Sequence, residues 1–238
     1  MQFFIFVLLI CLFIFLYCVY VLTNDDFIFL RRDVTLEKLF NLIFISGLTG
    51  LFVARFFYGF SAKGIFANLL VFLLFPYFPG LSLLGGVVGA GIYLFFLAKH
   101  KENSLPLGRI CDFFSIAFLI SLPIGLIGYL MFSQEATEFI KLAIKAAIYF
   151  VLFIIFLRFF LPRLLNGKFK EGTISLIFLI CFSTVSLISN AFSKISILEY
   201  FKNFENIILI LIFIASAGML IQREGLISKI TQFKKGEQ

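Results

Sequence analysis

A few polar side chains stand inside long apolar runs, and their chemistry needs an explanation. Arg55 lies in the stretch GLTGLFVARFFYGF, which runs from Gly47 to Phe60. A guanidinium stays charged at any physiological pH, and placing it in hydrocarbon costs about 2.5 to 3.5 kcal/mol on insertion scales. Arg55 therefore requires either a compensating partner inside the protein or a path by which its head snorkels to the membrane interface beyond Phe60.

Other polar groups in or beside apolar runs are candidates for chemistry, namely Tyr58, Tyr77, Asp112, Glu138, Lys141 and Lys145. Asp112 stands near one end of its predicted helix, which favours a helix-start or loop role over catalysis. Lys141 and Lys145 are one helical turn apart. Either an anionic headgroup lies between them, or both snorkel to water with Glu138 one turn before.

Metal and redox chemistry find little support in the sequence. His100 is the only histidine, so it forms neither a catalytic triad nor a histidine metal cluster. The cysteines are too scattered for a disulfide framework or a paired metal site and are expected to be buried apolar residues; they are Cys11, Cys18, Cys111 and Cys181. We expect no metal and no cofactor.

The elements that must position these groups are membrane helices. The chain has 238 residues, 62% hydrophobic and 14% charged, with a mean hydropathy of +1.10, which excludes a soluble domain. We predict an all-α fold in which residues 1–238 form a single transmembrane domain, with seven spans at 3–22, 39–60, 81–98, 110–132, 139–161, 173–192 and 207–221. The stretch from Ile65 to Tyr77, broken by Pro76 and followed by Pro79, predicts a short re-entrant or interfacial segment.

Basic residues set the expected orientation. They concentrate in alternate loops and the C-terminal tail, as Arg31, Arg32, Lys38, Lys99, Lys101, Arg109, Arg158, Arg163, Lys168, Lys170, Arg223, Lys229, Lys234 and Lys235. The positive-inside rule then places the N-terminus outside and the C-terminus in the cytoplasm. Most of the basic residues behind the formal net charge of +7 are thus expected in cytoplasmic loops, where they attract anionic lipid. Nucleic acid is not an expected partner.

Small residues recur at helical spacing in three spans. Ser82, Gly85, Gly86 and Gly89 form a bare stripe on the third span. Similar stripes lie on the second and fourth spans, as Gly47, Gly50 and Ala54, and as Ser121, Gly125 and Gly128 beside a predicted kink at Pro123. Such stripes let another helix or a lipid chain approach closely.

The order of these motifs resembles that of the prolipoprotein diacylglyceryl transferases, bacterial inner-membrane enzymes that move diacylglycerol from phosphatidylglycerol to a lipobox cysteine. The succession is LEKLFN, GLTGLFVARFFYGF, SLLGGVVG and DFFSIAFLISLPIGLIGY, with EGTISLIFLI further on. The resemblance covers residues 36–130 well and 172–180 weakly. It implies a lipid site at Arg55, Tyr58, Ser82, Gly85, Gly86, Gly125 and Gly128, in which Arg55 meets a lipid phosphate or carbonyl.

Several family positions differ in this chain. Leu84 stands where the resemblance places a catalytic histidine, and Leu126 and Tyr129 replace polar groups of a Gly-Arg-x-Gly-Asn signature. Ser186 and Asn190 fall near the family's arginine and glutamate. The external segment that follows the fourth span is short, around Ser133 to Ala136.

Three functions stay open at this stage: a weak or divergent transferase, a catalytically silent protein that binds phosphatidylglycerol or another partner, and a small unrelated transporter. The expected partners are phosphatidylglycerol or another anionic lipid, and a prolipoprotein signal peptide. A missing general base typically lowers a rate by about 10² to 10⁴.

The orientation can be tested with single cysteines at Asn103 and Gln134 in a background without the native cysteines. A membrane-impermeant thiol reagent applied to intact cells should label only the cysteine at position 134, because the basic loop around Asn103 is predicted to be cytoplasmic. Labelling at position 103 alone would reverse the orientation.

Overall fold

The computed structural model describes residues 2–24, 26–32, 34–61, 80–99, 105–130, 136–192, 200 and 203–225. Across these ranges the chain forms helices and no strand, which confirms the all-α prediction. The predicted re-entrant segment from Ile65 to Tyr77, most of the short segment around Ser133 to Ala136, and His100 lie outside the described residues. The chain divides into two compact units, Met1–Leu107 and Gly108–Gln238.

In the described ranges, six helices are long and apolar enough to cross a membrane: Ile5–Asn24, Leu36–Phe60, Leu107–Leu130, Phe139–Leu165, Thr173–Ala191 and Phe204–Glu224. They coincide with six of the seven predicted spans. The remaining predicted span, 81–98, is a helix of 17 residues, Leu83–Lys99. At 1.5 Å per residue this helix is about 26 Å long, somewhat shorter than the roughly 30 Å thickness of a hydrocarbon core.

The described residues of the first unit form four helices: α1 (Gln2–Asn24), α2 (Phe27–Arg31), α3 (Leu36–Ser61) and α4 (Leu83–Lys99). Asp26 is buried and caps α2, since its Oδ1 accepts the backbone N–H of Ile28 at 2.9 Å. Thr35 caps α3 through its Oγ1, which accepts the Lys38 N–H at 3.4 Å. The starts of α2 and α3 are thus each capped by a side chain that is close in sequence.

The small-residue stripes of α3 and α4 pack against each other. A Cβ added at Gly85 would lie 2.7 Å from the Ala54 Cα, and one added at Gly89 would lie 2.8 Å from the Thr49 carbonyl oxygen. A Cβ on Gly50 would be 3.2 Å from the Gly86 carbonyl oxygen. The close helix approach that the stripes predict is therefore present. Gly47 lies outside this contact, because a Cβ there would meet nothing within 4 Å.

The second unit begins with α5 (Leu107–Leu130), which contains Pro123. A continuous helical stretch follows, made of α6 (Ala136–Ile155), a π-helical turn (Phe156–Phe160) and α7 (Leu161–Leu165). The π-helical turn lies directly before Pro162, whose missing N–H interrupts the ordinary helical bonding pattern. The unit ends with α8 (Thr173–Ala191) and α9 (Phe204–Glu224), which pack along each other.

The tightness of the α3 and α4 contact can be tested by Gly89→Ala, with Gly91→Ala on the same helix as the matched control. The new methyl group at position 89 would overlap α3, and we expect a loss of about 1 to 3 kcal/mol in stability, measured as a lower unfolding midpoint in detergent. At Gly91 nothing lies within 4 Å of an added Cβ, so alanine should be neutral or stabilising there. Equal midpoints for the two variants would contradict the close packing.

Candidate functional site

Arg55 is buried inside the first unit, where it is 3% exposed. Its Nη1 donates a hydrogen bond of 2.7 Å to the carbonyl oxygen of Gly80. The guanidinium carbon lies 5.8 Å from the centre of the Tyr58 ring, within the range of a cation–π interaction. The guanidinium is thus buried and bonded to the backbone of the protein itself, and its contact with a lipid phosphate or carbonyl stays a prediction.

The turn before α4 is shaped to meet this part of α3. Gly80 has φ +149°, and a Cβ there would lie 2.1 Å from the Tyr58 ring, so only glycine allows the ring to approach. The Ser82 N–H donates to the Ala54 carbonyl at 3.1 Å. The Ser82 Oγ caps α4 by accepting the Gly85 N–H at 3.3 Å. Together these contacts hold the first turn of α4 beside Arg55.

The electrostatics of this corner favour an anion. The first N–H groups of α4 give its start a partial positive charge, and the Arg55 guanidinium adds a full one beside it. A phosphate oxygen placed here would be attracted by both, as at other helix starts that bind anions. This corner of the first unit thus combines a buried cation with a helix start whose Gly85 N–H is already capped by Ser82.

The predicted site residues divide between the two units. The structure brings Arg55, Tyr58, Ser82 and Gly85 together in the first unit. A Cβ on Gly85 would overlap α3, so Gly85 has a packing role, whereas a Cβ on Gly86 would make an ordinary contact of 3.9 Å with the Ala54 Cβ. Gly125 and Gly128 belong to α5 of the second unit.

Positions that the family resemblance marked as changed have structural roles in this chain. The Asn190 amide donates to the Asn206 Oδ1 at 2.7 Å and so joins α8 to α9. The Ser186 Oγ lies 3.5 Å from the hydroxyl of the buried Tyr149, joining α8 to α6. Such interhelical hydrogen bonds fasten membrane helices to one another. Leu84 is buried at 5% exposure and brings no polar group to the start of α4.

Asp112 has a structural role that the sequence showed only in part. It is fully buried, and its carboxylate accepts the backbone N–H groups of Gly172 at 2.6 Å and Ser175 at 2.8 Å. The expected helix-start role is therefore performed for α8, and not for α5, on which Asp112 lies. Gly172 begins α8 with φ +84° and has no side chain to supply the cap, so Asp112 supplies it from 60 residues away.

A polar belt surrounds this cap. The Arg109 Nη1 donates to the Leu164 carbonyl at 3.1 Å, at the end of α7. The Thr173 Oγ1 donates to the Glu224 Oε1 at 2.7 Å, which ties the start of α8 to the end of α9. A Cβ on Gly172 would lie 2.9 Å from the Arg223 Nη1, so the glycine also makes room for that guanidinium. We assign this belt to the stability of the second unit.

Lys141 and Lys145 lie on α6 and are both partly buried. The Glu205 carboxylate on α9 attracts the Lys145 ammonium. The Glu205 carboxylate thus offsets part of the positive charge of Lys145. The sequence alone suggests only an anionic headgroup or water for this purpose. The side chain of Glu138 and the whole of Tyr77 lie outside the described residues.

The cap can be tested by Asp112→Ala, which would leave the buried Gly172 N–H and the partly buried Ser175 N–H without this acceptor. Each orphaned group costs about 1 to 3 kcal/mol, so the unfolding midpoint in detergent should fall by several degrees. The control is Ser115→Ala on the same helix, whose Oγ bonds only to its own turn at Cys111 and whose loss should have little effect. If the two variants unfold together, Asp112 does not cap α8.

No protein-family model, curated protein or solved structure matches this chain.

Proposed function

We propose that this protein is an integral membrane protein that holds the headgroup of an anionic phospholipid, phosphatidylglycerol in the first instance, at Arg55 and the start of α4. The observation that carries the proposal is a guanidinium, 3% exposed, fixed 2.7 Å from the Gly80 carbonyl oxygen just before a helix start. The other buried arginine of the described chain, Arg109, stands in the first turn of α5 and donates to the Leu164 carbonyl at the end of α7. Arg55 stands in the last two turns of α3 and donates to the Gly80 carbonyl just before α4, and in our proposal the start of α4 attracts the anion.

The arrangement has a place within a transferase-like membrane protein. In this proposal α4 crosses the membrane as a short seventh span, with the bilayer thinning slightly to match it. The N-terminus is outside a bacterial inner membrane and the C-terminus is cytoplasmic. These features agree with the family resemblance in the order of the spans and in the place of Arg55.

We propose further that the chain alone does not transfer diacylglycerol at a useful rate. The reaction needs a base for the thiol and groups that stabilise the phosphate leaving group. Leu84, Leu126 and Tyr129 supply neither. The polar groups of Ser186 and Asn190 are engaged between helices. Lipid binding without transfer is the function that these contacts support best.

The test compares the lipids that copurify with the wild type, Arg55→Leu and Arg55→Lys, with Arg31→Leu as an exposed control that removes the same charge. Quantitative lipid mass spectrometry should show about tenfold less phosphatidylglycerol on Arg55→Leu, since a charged hydrogen bond contributes about 1.5 to 3 kcal/mol. Lysine should restore only part of the binding, because it lacks the bidentate fork. Arg31→Leu should keep the wild-type lipid content.

The same preparations, in phosphatidylglycerol vesicles with a lipobox peptide, provide the catalytic readout beside an active diacylglyceryl transferase. We expect no mass shift of the peptide above background. Equal phosphatidylglycerol content in the wild type and Arg55→Leu would refute the binding site. Transfer within about a hundredfold of the active enzyme would refute the silent assignment.

A further inference from the structure

A lipid-sized groove lies between α1 and α3 in the first unit. Its volume is about 800 Å³, and its lining includes Leu12 and Leu16 from α1 with Phe40, Ile43 and Phe44 from α3. This volume is within the range of sites that hold small molecules. Both helices are long and apolar enough to span a membrane. An apolar groove at that depth is chemically suited to an acyl chain.

The groove also has a polar end. Glu37 and Asn41 belong to its lining and stand one helical turn apart on α3. Within the described part of the chain, neither side chain has a hydrogen-bond or ion-pair partner. An ionised carboxylate only accepts hydrogen bonds, whereas the Asn41 amide both accepts and donates them. A ligand at this end is therefore expected to bring a cationic donor to Glu37.

A smaller pocket of about 310 Å³ lies along the same end of α1 and the first turn of α3. Its lining mixes hydroxyl and amide groups from Thr23, Asn24 and Thr35 with apolar residues. The Thr23 hydroxyl already donates to the Val19 and Tyr20 carbonyls, at 2.9 and 3.1 Å, and the Thr35 Oγ1 accepts the Lys38 N–H. This smaller pocket lies beyond Glu37 from the apolar lining of the groove, so a lipid whose ammonium is at Glu37 does not place its esters there.

We infer that the groove between α1 and α3 binds an aminophospholipid, of the phosphatidylethanolamine class, with its ammonium at Glu37 and Asn41 and an acyl chain against Leu12, Leu16 and Phe44. Charge complementarity selects the headgroup. The carboxylate attracts an ammonium and repels the net negative charge of phosphatidylglycerol. This site is separate from Arg55 and has the opposite preference.

A structural role for Glu37 alone is the competing explanation. An acidic residue in the first turn stabilises a helix through its dipole, and Glu37 occupies the first turn of α3. Glu205 occupies the first turn of α9 and lies outside the groove. Glu205→Gln is therefore the control for loss of a first-turn carboxylate. It also removes the carboxylate near Lys145 in the second unit, so its unfolding midpoint is measured beside its lipid selection, which only Glu37→Gln should alter.

The absence of tryptophan from the chain provides a direct test. Phe40→Trp places a single indole in the groove, and Phe52→Trp places one on an exposed part of α3 outside the groove lining. Each protein is reconstituted in mixed bilayers of phosphatidylethanolamine and phosphatidylglycerol at fixed composition. Bromine on the chains of one lipid or the other quenches tryptophan on contact, so the ratio of the two quenching signals measures local lipid preference.

We expect the tryptophan at position 40 to report a preference for phosphatidylethanolamine of about threefold to tenfold, and the tryptophan at position 52 to report none. Glu37→Gln should abolish the preference, and Glu205→Gln should leave it unchanged. Leu16→Trp, used as a second groove probe, should report the same preference in a chain that keeps Glu37.

Three results would overturn the inference. Equal quenching by the two brominated lipids at position 40 would show a groove without headgroup selection. A preference that survives Glu37→Gln would show that the carboxylate does not select the lipid. Quenching by neither lipid would show that a segment of protein covers the groove. None of these results bears on lipid retention at Arg55, so each of the two proposed sites can be refuted without refuting the other.

Discussion

A helix end that is buried in protein has no water to satisfy its free N–H and C=O groups, and this constraint accounts for the buried charges of the described residues. In the described residues the buried charged side chains are Asp26, Arg55, Arg109 and Asp112. Each of the four bonds to a backbone group at or beside a helix terminus. An unsatisfied backbone group in hydrocarbon costs several kcal/mol. The charges that the sequence presents as anomalies are therefore the groups that let helices begin and end inside the protein.

The sign of each buried charge can be compared with the dipole of the helix to which it is hydrogen-bonded. The carboxylates of Asp26 and Asp112 accept N–H groups at helix starts, and Arg109 donates to a carbonyl at the end of α7, so these hydrogen bonds agree with the dipoles of the helices that receive them. Arg55 donates to a carbonyl just before the start of α4, while it stands itself in the last two turns of α3. This hydrogen bond accounts for the position of its guanidinium. The binding of an anion by Arg55 is our proposal, and the other three residues have structural roles.

Much of the fold could be predicted from the sequence because hydropathy and small-residue spacing are local signals. The six long helices and the contact of Gly85 and Gly89 with α3 follow from them. The partners of Arg55 and Asp112 lie 25 and 60 residues away, and no spacing rule connects them. Ser186 and Asn190 show the same limit, because sequence position marked them as lost catalytic groups whereas their contacts make them joints between helices. The π-helical turn before Pro162 also lacked a local signal beyond the proline.

The geometry of α3 makes the two proposed lipid contacts complementary. Glu37 and Arg55 stand about 27 Å apart along one helix at 1.5 Å per residue, close to the roughly 30 Å thickness of a hydrocarbon core. One phospholipid extends across only half of a bilayer, so it cannot reach both residues. The two headgroups would lie in opposite leaflets, an amine lipid at the start of α3 and an anionic lipid towards its end. In these two proposals a single helix contacts a headgroup in each leaflet, and its packing against α4 through Gly85 and Gly89 holds only the anionic site in a fixed shape.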